Sequence, residues 1–276
     1  MVPPNDPSKH RSTDQNFGLA AGLRSLLFPA SCTACGDDIP SGVLCDHCAR
    51  TIKALPIVGR ISELPFYAEA EFGLEIAAIV IAAKESNDKS ARRYLALMMG
   101  LSLRRALERL QVLESPGGLE RSPNIPLKII LFPFPSRPRA NRVRGYRHSE
   151  LLAAEMAREV RRMNLECEFG ICPGLELSRD IADQRGLTKL EREANLEGAI
   201  RLSRTGLRQL QKLIQPGGAA LNPEPPRNKQ GPLLVLIDDV MTSGATVSAG
   251  ATALRNAGFT PDLAILGCVS PRLIYA

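Results

Sequence analysis

The chain contains no tryptophan, and aromatic residues make up only 4% of it. It is therefore poor in the stacking platforms on which single-stranded nucleic acid bases rest. It has no long apolar run. The longest clean one, "IAAIVIAA" at 76–83, sits between Glu75 and Lys84 and is far too short to span a bilayer. The N-terminal stretch "MVPPNDPSKHRSTDQN" is polar and lacks the apolar segment of a secretory signal. Two phosphate-binding fingerprints are also missing. GxxxxGK[ST] is absent, which excludes a Walker A loop, and GxGxxG is absent, which excludes the common dinucleotide turn. These absences predict a cytoplasmic protein with no membrane span.

The rest of the composition is ordinary for a soluble globular protein, with 44% apolar and 23% charged residues. A length of 276 residues suffices for one sizeable core, or one core with a small satellite. Net charge is +6 and the isoelectric point lies near 9.1. A basic surface attracts phosphorylated metabolites and nucleic acid alike, so charge does not choose between them.

Composition shifts divide the chain. Residues 1–28 read as a disordered tail followed by a short amphipathic helix, "FGLAAGLRSLLF" at 17–28, ended by Pro29. Residues 29–55 hold a cysteine module. Residues 56–125 read as a mostly helical connecting region. There "SARRYLALMMGLSLRRALERLQVLE" puts Leu95, Met99, Leu103, Ala106, Leu110 and Leu113 on one helical face, and Arg104–Glu108 lends slight i, i+4 support. "SPGGLERSPNIP" (115–126) reads as a linker.

From 126 to 276 strand-like and helix-like patterns alternate. Strands are predicted at 127–135, weakly near 172–178, at 233–238 and at 262–270. Helices are predicted at 148–163, partly over 188–203, and at 248–259. A Pro/Gly-rich loop is predicted at 215–232. This alternation predicts an α/β fold built on a parallel sheet.

Cys32-x-x-Cys35 and Cys45-x-x-Cys48 are nine residues apart. In a cytosolic chain, paired CxxC motifs point to zinc rather than to disulfides. Each pair forms a knuckle presenting two thiolates to one tetrahedral ion, and Gly36 suits the tight turn. Four thiolates close the coordination shell, so the site is structural. A redox dithiol is the alternative. His47 reads as a surface residue, and Cys167, Cys172 and Cys268 lack ligand spacing.

The most informative stretch is "LLVLIDDVMTSGATVSAG" at 233–250. An apolar strand ends in Asp238 and Asp239, then turns through Thr242, Ser243, Gly244, Ala245 and Thr246 into a helix. Small hydroxylated residues at a helix N-terminus suit a phosphate, yet two carboxylates should repel one. A ligand with a phosphate and a ribose diol resolves the conflict. The loop takes the phosphate and the acids accept from the 2′- and 3′-hydroxyls. Mg²⁺ riding on a pyrophosphate would offset charge further. The bland alternative is a buried strand ending in a polar turn.

"VLIDDVMTSGAT" resembles the phosphoribosyl-pyrophosphate motif of type I phosphoribosyltransferases. The four cysteines after "LLFPA", then "FPFPSRPRANRVRGYRHSELLA" (132–153) and "LSRDIADQRGLTKLEREANLEGAI" (177–200), are similar to the ComF family in content and order over roughly residues 24–270. ComF proteins are phosphoribosyltransferase-like, and several are linked to bacterial DNA uptake. Two departures stand out. Arg144-Gly145-Tyr146-Arg147-His148 stands where the family commonly has RGF-N-Q, a departure at 147 and 148. Ser243 replaces a threonine. Lys84 matches a family lysine of unassigned role.

The resemblance implies a type I phosphoribosyltransferase fold: a twisted parallel sheet flanked by helices, with a hood, plus the small N-terminal four-cysteine zinc module. It implies that phosphoribosyl pyrophosphate contacts Asp238, Asp239, Thr242, Ser243, Gly244, Ala245, Thr246, Arg137 and Arg144. Asp238, Asp239 and Arg144 would carry the chemistry, with Mg²⁺ on the pyrophosphate. The cluster Arg137, Arg139, Arg142, Arg144 and Arg147 would cover the leaving group. A solvated basic loop and a sequence-independent nucleic-acid contact are the alternatives for that cluster. Gln184, Arg185, Arg192 and Asn195 would belong to the hood. The implied activity is transfer of ribose 5-phosphate to an unidentified acceptor. The rival is a non-catalytic nucleotide- or single-stranded-DNA-binding adaptor in natural transformation, working with competence proteins.

Overall fold

Three short apolar runs dictate the centre of the molecule: "LKIILFP", "LLVLIDDVM" and "LAILGCV". Continuous rather than alternating hydrophobicity marks strands covered on both faces. The computed structural model describes residues 30–39, 42–52, 54–110, 126–136, 138–178, 198–214 and 231–275. In it these runs become β5 (Leu127–Pro133), β9 (Leu233–Met241) and β10 (Leu263–Val269). Successive residues face opposite ways. Ile129, Leu131, Val235, Ile237, Leu263 and Ile265 enter one core cluster. Ile130, Phe132, Leu234, Leu236, Ala264 and Leu266 enter the other.

Two further strands precede them, β3 (Ala54–Ile61) and β4 (Leu64–Ala70), and β6 (Cys167–Ile171) lies between β5 and β9 in the chain. The six-stranded sheet has the order β3-β4-β10-β9-β5-β6. All neighbours are parallel except β3 and β4, which pair antiparallel. The sheet is thus mostly parallel, with one antiparallel edge strand.

Helices α2 (Leu74–Glu85), α3 (Lys89–Arg109) and α5 (His148–Arg162) cover the first face. They bury Ile76, Ile79, Leu95, Met99, Leu103, Leu152, Met156 and Val160 there. Helices α6 (Arg204–Ile214) and α7 (Ala245–Asn256) cover the second through Leu210, Val247, Ala251 and Leu254. A small separate sheet pairs β7 (Leu175–Leu177) with β8 (Ile200–Leu202), antiparallel. Near the N-terminus, β1 (Ala30–Ser31) pairs with β2 (Asp38–Ile39), and α1 (Asp46–Thr51) follows. No helix among the described residues is long and apolar enough to cross a membrane.

Several expectations need correction. Residues 56–125 are not mostly helical from their start. Residues 54–70 form a hairpin that joins the main sheet, and α2 and α3 pack on that sheet. Pro56, Gly59 and Pro65 blur the strand pattern of "ALPIVGRISELPFYAEA". Pro56 is tolerated because β3 is an edge strand, where a missing N–H costs no ladder bond, and Pro65 stands at the start of β4, before its pairing with β10 begins at Phe66. Gly59 is needed because the Phe66 ring lies over it: a Cβ there would come within 2.5 Å of the ring.

Residues 200–202 of the partly helical 188–203 segment are the strand β8. The strand expected at 233–238 runs on to Met241, and α7 begins at Ala245 rather than 248. Pro138–Arg144 is a short helix, α4, inside the Arg-rich segment. The tail and helix expected over 1–28, the linker centre (111–125), the loop at 215–230 and the segment 179–197 that would form most of the hood lie outside the described residues.

Candidate functional site

Connectivity selects one edge of the sheet. From β5 the chain moves outward to β6. From β9, the neighbour of β5, it moves the opposite way to β10. A parallel sheet opens a crevice at the carboxyl ends of two such strands. The residues there are Pro133–Ser136 after β5, and Asp238, Asp239 and Thr242–Thr246 after or within β9.

Asp238 and Asp239 lie inside β9, and the strand stays paired beyond them: Leu266 faces Asp238 and Cys268 faces Val240. Gly267 allows this close pairing, since a Cβ there would come within 2.5 Å of the Asp239 carbonyl oxygen. Being adjacent on a strand, the two acids alternate in direction. Asp239 is buried at 6% exposure, whereas Asp238 is half-buried.

Among the described residues, each carboxylate has one oxygen hydrogen-bonded. Asp238 Oδ1 accepts from the Asp239 N–H at 3.0 Å. Asp239 Oδ2 accepts from Lys84 Nζ at 2.7 Å. His148 Nε2 stands 3.5 Å from that same oxygen, without a formed hydrogen bond.

This setting drives the acids apart. Burial and the charge of Asp239 push the Asp238 carboxyl well above the ordinary range. Burial also pushes Asp239 up, but His148 and Lys84 together outweigh it and hold Asp239 well below that range. Burial works against the Lys84 ammonium, and Asp239 reverses the effect, raising Lys84 above its usual value. The two adjacent acids thus differ in proton affinity, Asp238 raised and Asp239 lowered.

The loop after β9 is short. Thr242 is exposed, and Ser243 and Thr246 are half-buried. Gly244 caps α7 with φ 78°, a left-handed conformation that glycine adopts at no steric cost. Glycine is required twice over, because a Cβ would come within 2.5 Å of Ile61 Cδ1. Ala245 and Thr246 begin α7, so their N–H groups are among the unpaired donors of its first turn. The Ala245 N–H has a weak local acceptor, Ser243 Oγ at 3.4 Å.

Arg144 stands differently from expectation. Its side chain is only 10% exposed, its Nε pairs with Glu85 at 3.1 Å, and its Nη1 is buried without a partner. Arg137 lies outside the described residues, as do Gln184, Arg185, Arg192 and Asn195. Arg142 and Arg147 reach a neighbouring cavity of about 560 Å³ at the end of β5. Ser136, Asn141, Ser203 and Thr205 also line it, with Glu150 and Glu176, whereas Asp238 and Asp239 do not.

The structure therefore gathers Asp238, Asp239 and the 242–246 loop at one edge. It adds Lys84 and His148, whose roles sequence reasoning left unassigned. A lysine ending an apolar helical run was the one available signal for the first. Nothing in the sequence pointed to the second, because its partner lies ninety-one positions away.

A second site stands at the N-terminus. The sulfurs of Cys32, Cys35, Cys45 and Cys48 all lie within 4.8 Å of one another. Cys35 and Cys45 are 3.7 Å apart, matching the edge of about 3.8 Å expected for a tetrahedron with 2.3 Å zinc–sulfur bonds. The knuckle turn closes through Gly36 N–H to Cys32 carbonyl at 2.8 Å, with Gly36 at φ 82°. Cys45 caps α1 by accepting the Cys48 N–H. Burial raises the Cys32 thiol, but backbone N–H groups outweigh it and bring it down to about 6. Burial and neighbouring thiols push Cys48 up to about 11. Four thiols this close cannot all ionise unless a cation offsets their charge. Among the described residues this is the one cluster of three or more metal-ligating side chains.

The chain matches no protein-family model and no curated protein. What fold and site define is an α/β protein with a mostly parallel six-stranded sheet and an N-terminal four-cysteine cluster suited to a metal ion.

Proposed function

We propose that this protein binds phosphoribosyl pyrophosphate, or another ligand bearing ribose 5-phosphate, at the β5–β9 edge and transfers the phosphoribosyl group to an acceptor. One observation carries the reading. Two carboxylates, each with one oxygen already engaged, stand in the same strand just before a glycine-capped, hydroxylated helix N-terminus. Among the described residues each acid keeps a second oxygen that could accept from a ribose hydroxyl, and the helix end with Thr242, Ser243 and Thr246 suits the 5-phosphate.

In the reaction, the acceptor's lone pair would attack C1 while the C1–O bond breaks. Pyrophosphate leaves with the bonding electrons, and the acceptor loses its proton. Charge grows on the leaving oxygens, so cations supply the stabilisation. Lys84 stays on Asp239. Arg142 is exposed beside the end of β5, whereas Arg147 would have to leave Glu150, and Arg144 would have to leave Glu85, to contribute. Mg²⁺ belongs to the substrate as its pyrophosphate complex. The four cysteines would hold a structural zinc ion, and the type I phosphoribosyltransferase fold and ComF kinship belong to the same proposal.

A second reading has its own observation. Arg204, Arg208 and Lys212 form an exposed stripe on α6, a helix with no acidic residue. That favours a polyanion contact, such as an adaptor for single-stranded DNA in natural transformation. One experiment separates the readings. The pure full-length chain is incubated with phosphoribosyl pyrophosphate, Mg²⁺ and a panel of bases and amines, and pyrophosphate release is measured. Acceptor-dependent release supports transfer. No release with any acceptor, together with salt-sensitive single-strand binding, replaces the enzyme with the adaptor.

A further inference from the structure

His148 opens α5 and is fully buried. Neither ring nitrogen has a hydrogen-bond partner among the described residues. An unsatisfied buried polar ring is costly, and an apolar side chain there would avoid the cost, so packing does not account for the residue. Its Nε2 lies 3.5 Å from Asp239 Oδ2, the oxygen that Lys84 Nζ holds at 2.7 Å.

The same segment grips the end of α2 twice. Arg144 pairs with Glu85 at 3.1 Å, and the Tyr146 hydroxyl donates to the Lys84 carbonyl at 2.5 Å. The start of α5 and the end of α2 thus close on Asp239 together. The charged and titratable groups facing Asp239 are Lys84 from α2, His148 from α5, Asp238 on its own strand and Cys268 from β10.

We infer that His148 is a positioning residue for Asp239. With Nε2 protonated, it and Lys84 fix the carboxylate through Oδ2, so that Oδ1 is the oxygen offered to a ligand. The contact at 3.5 Å is long for a hydrogen bond, as such contacts often are before ligand binds, and it tightens when Asp239 is loaded. Only the identity of the ligand at Oδ1 rests on the phosphoribosyl reading.

The test uses the full chain with carbon-13-labelled aspartate carboxyls, assigned through Asp239→Asn. In His148→Leu the Asp239 titration midpoint should rise by about one pH unit or more. In His148→Gln, which keeps a donor, it should return towards wild type. A midpoint unmoved in both variants overturns the inference. If His148→Leu fails to fold, His148→Phe replaces it.

A second arm measures binding of ribose 5-phosphate with Mg²⁺ by calorimetry. His148→Leu should weaken it roughly tenfold. The double variant with Asp239→Asn should bind no worse than Asp239→Asn alone. Additive losses overturn the positioning role. A wild-type chain that does not bind ribose 5-phosphate removes the functional reading instead, and the carboxyl titration then decides this inference.

Discussion

Adjacent aspartates with opposite proton affinities have opposite effects on stability. Asp238 holds its proton longer folded than unfolded. Its contribution is therefore whole below about pH 4 and is lost as pH rises through its raised folded value. Asp239, depressed by His148 and Lys84 against its burial, contributes above about pH 4 and loses that contribution as pH falls through its folded value. Asp238→Asn should then stabilise the protein at pH 7 by on the order of 1 kcal/mol, with the gain vanishing at pH 4, while ribose 5-phosphate binding is lost. Urea denaturation at both pH values checks this, and a less stable variant at pH 7 would contradict it. Asp239→Asn should instead destabilise by roughly 2–3 kcal/mol, less than for a fully buried pair because the Lys84 side chain remains 33% exposed. Thermal unfolding of the two variants side by side gives the contrast. At Gly244 an alanine meets both a left-handed backbone and Ile61, so Gly244→Ala should cost about 1–3 kcal/mol. Binding should fall with it, measurable by calorimetry.

Elements differ in how openly the sequence declares them. The strands β5, β9 and β10 could be read because each is a run of apolar residues bounded by polar ones, and burial on both faces requires that pattern. Helices α3 and α5 could be read from their periodic apolar faces. The β3–β4 hairpin could not, because its prolines and glycine read locally as breakers and fit only once β3 is known to be an edge strand with Phe66 packed over Gly59. The acids and the loop after them were legible as one contiguous motif. Lys84 and His148 were not assigned, since only the sheet and helix packing brings them to Asp239. The cysteine spacing was legible for a similar reason, being local. Its cluster buries only Cys32, Ile39 and Cys48 as its own core. A core this small would gain much of its stability from a bound ion. Metal analysis should find one zinc per chain, lost in Cys35→Ser. Hydrogen exchange should then show lost protection over residues 32–48, with the sheet strands still protected.

At the scale of the whole molecule, the candidate site is a product of long-range closure. Lys84 and Asp239 stand 155 positions apart, and β4 finds its parallel partner only in β10, close to the C-terminus. Contacts of such separation are slow to form. During synthesis β4 leaves the ribosome long before residues 263–269 exist, so until then one side of a β3–β4 hairpin would be an open sheet edge. Open edges invite pairing with other chains. A polypeptide stopped short of β10 would therefore lose more than its last strand: it would expose the apolar β4 edge, and it would be prone to aggregate rather than fold as a smaller version of the protein.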